Sequence, residues 1–327
     1  MKIFNIIIGL IFIVFTSYGQ NNTNPSLLFD EFWHWVDKNY IYFDAKNLDW
    51  NAVYQKYAPT ISDKTTEDEL FDICEASILA LKDAHSAISR PDKNGKVYDY
   101  KADYDIYFDF KIIKKSYIVD SLGSAKNLFW GLMNGNIGYI RLSNFTISSE
   151  FMQALMDMKS RKVSKIIIDV RNNGGGNSNT VPKLLSQFVD SKLPLGAYIE
   201  KIGPGHKEVT NPIWIYTDPK LKKDWDIPLV VMTNRMSYSA TSYFAGMVKG
   251  LPNMKIVGQK TGGGGGGHLG YQLSNDWLVR VSVSDFIGKD MLSIELGVEP
   301  DILIENTKED LENGIDKMLE TAINLKF

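Results

Sequence analysis

Three serines, Ser237, Ser239 and Ser242, stand close together just beyond the apolar run PLVVMT (228–233), where a helix-period segment begins. A serine at a strand-to-helix junction is held by rigid elements on both sides. It also lies beside the N–H groups of the first helical turn, which have no partner within the helix. Donors of that kind can receive the negative oxygen of an acyl-transfer intermediate. Ser239 is therefore the candidate nucleophile, although a serine there could equally serve as a plain N-cap. A second loop of matching character is RNNGGGN (171–177), which follows the continuous apolar strand KIIIDV. Gly174 and Gly175 can bring N–H groups near a substrate carbonyl without a Cβ in the way, and the Ala240 N–H next to Ser239 is the natural second donor.

A hydrolytic serine needs a base, and the chain has four histidines. His34 shares the polar face of an amphipathic pattern with Asp30 and Lys38, and His206 sits in the turn-like GPGHKE, so both read as solvated. His85, where a helical pattern ends in LKDAHSAI, and His268, directly after the six glycines 262–267, remain. Arg171 reads as holding the glycine loop through a carboxylate rather than binding a substrate terminus. The glycine run lacks the Lys-Ser/Thr pair of a phosphate-binding loop and reads as a flexible segment lining a groove. No cluster of His, Cys, Asp and Glu has metal-ligand spacing, so neither a metal nor another cofactor is expected.

The elements that must position these residues fall into an α/β plan. Residues 1–19 read as an export signal: Lys2, the apolar stretch Ile6 to Phe15, and a small-residue exit at Ser17-Tyr18-Gly19. That apolar stretch is too short to span a bilayer, and no cysteine follows it to carry a lipid. The expected product is exported, periplasmic or secreted, without stable membrane insertion. Residues 20–88 read as an N-terminal helical bundle with apolar stripes (Phe29, Trp33, Val36 and Tyr40 in the first helix) and a Thr66/Glu69 capping box in the third. Residues 89–134, rich in Tyr, Phe and Ile with short alternation, read as a β-rich connector or cap. Strand–helix alternation over 135–307 implies a mostly parallel sheet, whose chemistry belongs at the carboxyl ends of the strands. A hairpin is expected around 274–276, and residues 308–327 read as a closing helix capped by Thr307. A net charge of −3 without a basic stripe argues against nucleic acid. The single cysteine, Cys74, reads as a buried structural thiol.

LKDAHSAI, GNIGYIRLSNF, IIIDVRNNGGG, PLVVMTNRMSYSATSYFAGMV, IVGQKTGGG and ELGVEPDI, in this order, resemble the tricorn-core and C-terminal-processing serine peptidases. That resemblance implies a Clp-protease/crotonase type of fold and hydrolysis of peptide or unfolded-protein substrates. The lysine of the C-terminal-processing branch would fall on Gly264, with Lys260 four residues too early, so a Ser–Lys dyad is not implied. The tricorn-like arrangement maps onto Ser239 as nucleophile, His85 as base and Glu295 as the carboxylate orienting it, with Ala240 and Gly174 or Gly175 as oxyanion donors. His268 is the alternative base. Ala84 stands where the tricorn branch has a hydroxyl, and the chain between His85 and Ser239 leaves no room for a PDZ module. The rival expectation is an inactive protein of the same fold that binds a peptide or lipophilic ligand. Oligomeric state is left open by the sequence.

Overall fold

A computed structural model describes residues 24–222 and 227–327; the expected export signal lies outside them. The first helix, α1 (Pro25–Asn39), starts where the Asn24 side chain accepts the N–H groups of Ser26 and Leu27, and it buries Leu28, Phe29, Phe32, Trp33 and Val36. It packs with α2 (Trp50–Tyr57) and α3 (Glu67–Ala80), the latter opening with the Thr66/Glu69 capping box. Trp33 and Trp50 stack, and each indole N–H donates to the other's carbonyl at 3.1 Å. Buried indoles need such partners. Cys74 is buried in α3, where desolvation pushes its thiol pKa well up.

Strand β1 (Ala87–Arg90) and the short β2 (Lys93–Asn94) follow. The next stretch departs from the strand expectation. Residues 95–109 are irregular, and 110–116 form a helix, α4 (Phe110–Ser116), capped by Asp109. Alternation of Tyr and Asp there reflects loop side chains packing on the main body, not a pleat. Then β3 (Ile118–Ala125) and β4 (Leu128–Met133) pair antiparallel with each other, and β4 pairs with β5 (Ile137–Leu142). The expected boundary near residue 135 thus falls inside a continuous sheet.

After β5 come α5 (Ser149–Ser160), β6 (Lys165–Asp169), α6 (Val181–Leu185), β7 (Pro194–Glu200), β8 (Ile213–Tyr216), β9 (Leu229–Thr233), α7 (Ala240–Val248) and β10 (Met254–Gly258). The remaining elements are β11 (His268–Gln272), β12 (Leu278–Ser282), β13 (Ser284–Ile287), β14 (Ile302–Leu303), α8 (Lys308–Glu312) and α9 (Lys317–Asn324). The largest sheet runs β14-β10-β9-β6-β5-β4-β3, parallel from β14 to β5. Its central strands are buried on both faces, and the pleat divides them. Ile166, Ile168, Leu229 and Val231 face α5 and α7, whereas Ile167, Val230 and Met232 face α9. The expected closing helix is broken in two, with Gly314 at φ +73° between α8 and α9.

Two smaller sheets complete the fold. Strands β13, β7 and β8 form one; β11, β12, β1 and β2 form the other, packed on the helical bundle through Ile88, Trp277, Val279 and Val281. The expected hairpin is β11–β12.

One buried ion cluster ties the parallel sheet to the C-terminal helices. Arg171 is fully buried and donates to both oxygens of Asp169 (2.9 and 2.6 Å) and to Asp316 at 2.9 Å. Tyr139 also donates to Asp169 at 2.7 Å. Burial alone would lower the Arg171 pKa, but the two carboxylates hold it well above its usual value. Arg171 is therefore an internal tie at the base of the glycine loop. Removing it leaves two buried carboxylates unpaired, so Arg171→Met should cost about 3–5 kcal/mol of unfolding free energy. Urea unfolding at pH 7 checks this, and a loss below about 1 kcal/mol would contradict it.

Candidate active site

Three loops meet at the carboxyl ends of β6, β9 and β10. The middle one carries Ser239, whose φ of 55° and ψ of −124° are unusual for a residue with a side chain. Backbone bonds on both flanks hold it there. Its own N–H donates to the Gly263 carbonyl at 2.8 Å, and the Tyr238 N–H donates to the Asn173 carbonyl at 3.0 Å. Gly175, at φ +112°, passes so close that an added Cβ would lie 2.8 Å from the Ser239 Cβ. The Ser239 carbonyl accepts the first intrahelical bond of α7, from Tyr243.

The three serines separate by their partners. Ser237 donates to the Val170 carbonyl (2.8 Å) and accepts from the Asn234 N–H (3.1 Å). Ser242 bonds the Ser237 carbonyl and Thr261. Both hydroxyls are consumed in holding the turn. The Ser239 hydroxyl has no partner among the described residues and makes no cap bond to its helix. Among the same residues the Ala240 and Gly174 N–H groups have none either, and an added Cβ at Gly174 would meet open space. The Gly175 N–H, by contrast, is donated to Asn173 Oδ1 at 3.0 Å. Of the two expected glycine donors, only Gly174 is therefore free to turn to a ligand.

His85 lies in the turn between α3 and β1. Antiparallel pairing sets Ala87 opposite Arg280, and continuing that register by two residues brings His85 opposite Ser282. On the other side of β12, His268 is also paired with Ser282. The two imidazoles consequently meet, ring centroids 5.5 Å apart. The His85 ring also lies 5.1 Å from that of Tyr238, the residue before Ser239. Its turn is fixed by Asp83, which accepts the His85 N–H at 2.8 Å, and by Arg280, which donates to the His85 carbonyl at 2.8 Å. Burial lowers the His85 pKa to about 4; Asp83 pulls it up, while His268, Arg280 and Lys46 push it further down. The imidazole is thus neutral over the physiological range, as a general base requires. His268 is exposed on the edge strand β11, and its pKa is lowered as well, chiefly by desolvation.

The orienting role expected for Glu295 is not seen as a direct contact. Its oxygens are taken by Lys46 Nζ at 2.6 Å and the Gly265 N–H at 2.9 Å, and His85 Nδ1 is buried without a hydrogen-bond partner. Two things account for this. Lys46 arrives from the loop after α1 and pairs with the carboxylate, and Ala84 has no hydroxyl with which to link the two groups. Burial and Asp83 push the Glu295 pKa up to about 8, against the pull of Lys46 and the Gly265 N–H.

The glycine run also differs from expectation. Residues 262–266 are buried, not a flexible loop. They thread between Tyr238, Glu295 and Ser282 at distances that a Cβ would violate. His206 is half-buried, stacked on Phe43 and bonded to Asp37 at 2.9 Å, whereas His34 is exposed as expected. Lys260 pairs with Glu299 at 2.9 Å. Lys46, Asp83, Tyr238 and Arg280 were not singled out in the sequence. Their roles depend on contacts between distant segments, and only the fixed spacing of Asp83 and Tyr238 from His85 and Ser239 could have pointed to them.

The family model described as Peptidase family S41 matches residues 136–304, and the Tricorn protease C1 domain model matches residues 24–76. A probable CtpA-like serine protease of Staphylococcus aureus (strain N315) is 27% identical over 61% of this chain and 38% of its own length. The chain thus spans little more than a third of that relative. A crystal structure of a candidate peptidase from Parabacteroides merdae ATCC 43184 superposes with a TM-score of 0.82 at 30% identity, covering 92% of this chain and 96% of the other. The photosystem II D1 C-terminal processing protease shares the fold at 19% identity and a TM-score of 0.55, over 86% and 94% of the two chains.

The separation of the serines has a direct consequence for stability. Ser237→Ala leaves the buried Asn234 N–H without a partner and takes one of the two donors from the Val170 carbonyl, which keeps the Asn173 N–H, and should cost about 1–3 kcal/mol. Ser239→Ala removes no bond and should change stability by less than about 0.5 kcal/mol. Thermal unfolding of the two variants compares them directly, and an equal loss would contradict the assignment.

Proposed function

The chain belongs to peptidase family S41, and from that premise we propose that it is a serine peptidase in which Ser239 forms the acyl-enzyme. The observation that carries this reading is the state of Ser239. It is the serine at the junction whose hydroxyl is uncommitted, held in a strained turn next to the unpartnered Ala240 N–H. In the proposed reaction His85 takes the hydroxyl proton as Oγ attacks the peptide carbonyl. The tetrahedral oxygen is received by the Ala240 and Gly174 N–H groups. His85 then returns the proton to the departing amine, and water repeats the cycle on the acyl-enzyme.

Two observations support His85 over His268: its ring lies 5.1 Å from that of Tyr238, the residue before Ser239, and its turn is held by Asp83. Asp83 supplies the negative charge that favours the imidazolium. Glu295, already paired with Lys46, contributes by anchoring the glycine strap whose Gly263 carbonyl holds Ser239. The substrates proposed are peptides or unfolded polypeptides, and the site proposed is exported, in keeping with the first residues of the sequence.

Incubation with unfolded casein tests the reading. Ser239→Ala and His85→Ala should each lose roughly 10⁴–10⁶ in rate, while Lys260→Ala should stay near the wild-type rate. Casein cleavage that persists in Ser239→Ala would overturn the assignment. The pH profile checks the base: kcat/KM should fall as the medium is acidified through about pH 4, where His85 takes up its proton. His268→Gln removes a charge that lowers the His85 pKa, so it should move that acid limb to higher pH. An unmoved limb would count against the pairing of the two histidines.

A further inference from the structure

Behind Tyr238, on the side of Ala84 and Glu295, lies a cavity of about 360 Å³ that includes neither Ser239 nor Gly174 among its lining residues. Its walls are the rings of Tyr98, Tyr100 and Tyr238, the last two stacked at 4.1 Å, and its charged groups are Lys46, Lys82, Arg235 and Glu295. Glu295 is the sole carboxylate among these lining residues, and Lys46 and the Gly265 N–H already occupy it. Arg235 has no carboxylate within ion-pair distance among the described residues. It donates to the carbonyls of Tyr100 and Thr261, both at 3.0 Å, and lies over the Tyr104 ring. Neutral acceptors position the guanidinium without cancelling its charge. Independently, the Tyr238 hydroxyl is buried without a hydrogen-bond partner although its residue is only 7% exposed. A buried phenol ordinarily finds one.

We propose that this cavity is a carboxylate-binding pocket, in which Arg235 and the Tyr238 hydroxyl hold the two carboxylate oxygens and the tyrosine rings enclose an apolar or aromatic body. A planar guanidinium with spare N–H groups matches a carboxylate better than a lone ammonium does. Lys82, exposed at the rim and without an ion-pair partner among the described residues, adds attraction at the entrance. The carboxylate can come from a free small acid or from the C-terminus of a peptide. The pocket's binding does not require Ser239 to act, so it can fail or stand apart from the peptidase reading.

Calorimetric titration of the full chain carrying Ser239→Ala tests this with N-acetyl-L-phenylalanine and its amide. The acid should bind roughly tenfold or more tighter than the amide, the loss expected when a charged hydrogen bond is removed. Arg235→Gln should abolish that preference, Arg235→Lys should restore part of it, and Tyr238→Phe should weaken the acid several-fold. A tetrapeptide ending in phenylalanine, with a free or an amidated terminus, separates the sources. Preference for the free terminus identifies a peptide end, and binding of the small acid alone identifies a free metabolite. Equal binding of acid and amide, unaltered acid binding in both Arg235→Gln and Tyr238→Phe, or tighter binding of inorganic phosphate than of the acid would overturn the proposal.

Discussion

The site depends on a backbone clamp. Tyr238 and Ser239 are gripped on one side by the Asn173 carbonyl and on the other by the Gly263 carbonyl. Those two bonds hold Ser239 in a backbone conformation that a residue with a Cβ adopts only under constraint. Their partners belong to the loops after β6 and β10, the strands flanking β9 in the parallel sheet. The sheet therefore fixes the serine indirectly, by fixing the three loop ends that meet around it. Glycine is needed where those loops touch the turn: at 175 a Cβ would collide with that of Ser239, and at 263 with the Glu295 carbonyl. The Ser239 side chain makes no cap bond to the helix that follows, and among the described residues the Ala240 N–H at its start has no partner, while the Thr241 N–H donates to the Tyr238 carbonyl.

Electrostatics divides the surroundings into two functions. The Arg171–Asp169–Asp316 cluster is fully buried and mutually compensated, so it holds loop and C-terminal helices together and offers nothing to a ligand. Around the histidines the balance is different. His85 is half-buried among Asp83, His268, Arg280 and Lys46, and desolvation first, then the three cationic or basic neighbours, keep it neutral against the pull of Asp83. Lys46 satisfies Glu295 and donates to the carbonyls of Leu81 and Lys82 at the end of α3. One lysine thus links the helical bundle, the His85 turn and the glycine strap. The N-terminal bundle is in this way part of the site's construction, and the β1–β12 pairing that carries His85 into place completes it.

Much of this arrangement was legible in the sequence. The buried strands KIIID and LVVMT announced themselves by uninterrupted apolar residues, and the loops at their carboxyl ends followed from the topology of parallel sheets. Ser239 and Gly174 could be singled out because they stand in those loops, whereas the roles given to them and to His85 are proposals, and the Gly175 N–H is committed to Asn173. Residues 95–117 misled because alternation of aromatic and charged side chains suits a loop lying on a surface as well as a strand. The glycine run misled for a related reason: lack of side chains permits flexibility, but it also permits close threading, and tertiary contacts decide between them. Glu295 was singled out as a partner for His85, but its oxygens go to Lys46 and the Gly265 N–H instead. An ion pair between residues as far apart in sequence as Lys46 and Glu295 leaves no trace in local pattern, and neither does Asn173 taking the Gly175 N–H.

The central claim is that Ser239 is an activated nucleophile in a formed oxyanion site. A fluorophosphonate probe reports on both features, since it reacts with an activated hydroxyl and leaves its phosphoryl oxygen among the oxyanion donors. Labelling the folded protein and locating the adduct by peptide mass spectrometry is the most direct measurement. The account predicts an adduct on Ser239, absent in Ser239→Ala and formed much more slowly in His85→Ala. A folded protein that takes no label, or takes it on another serine, would contradict it.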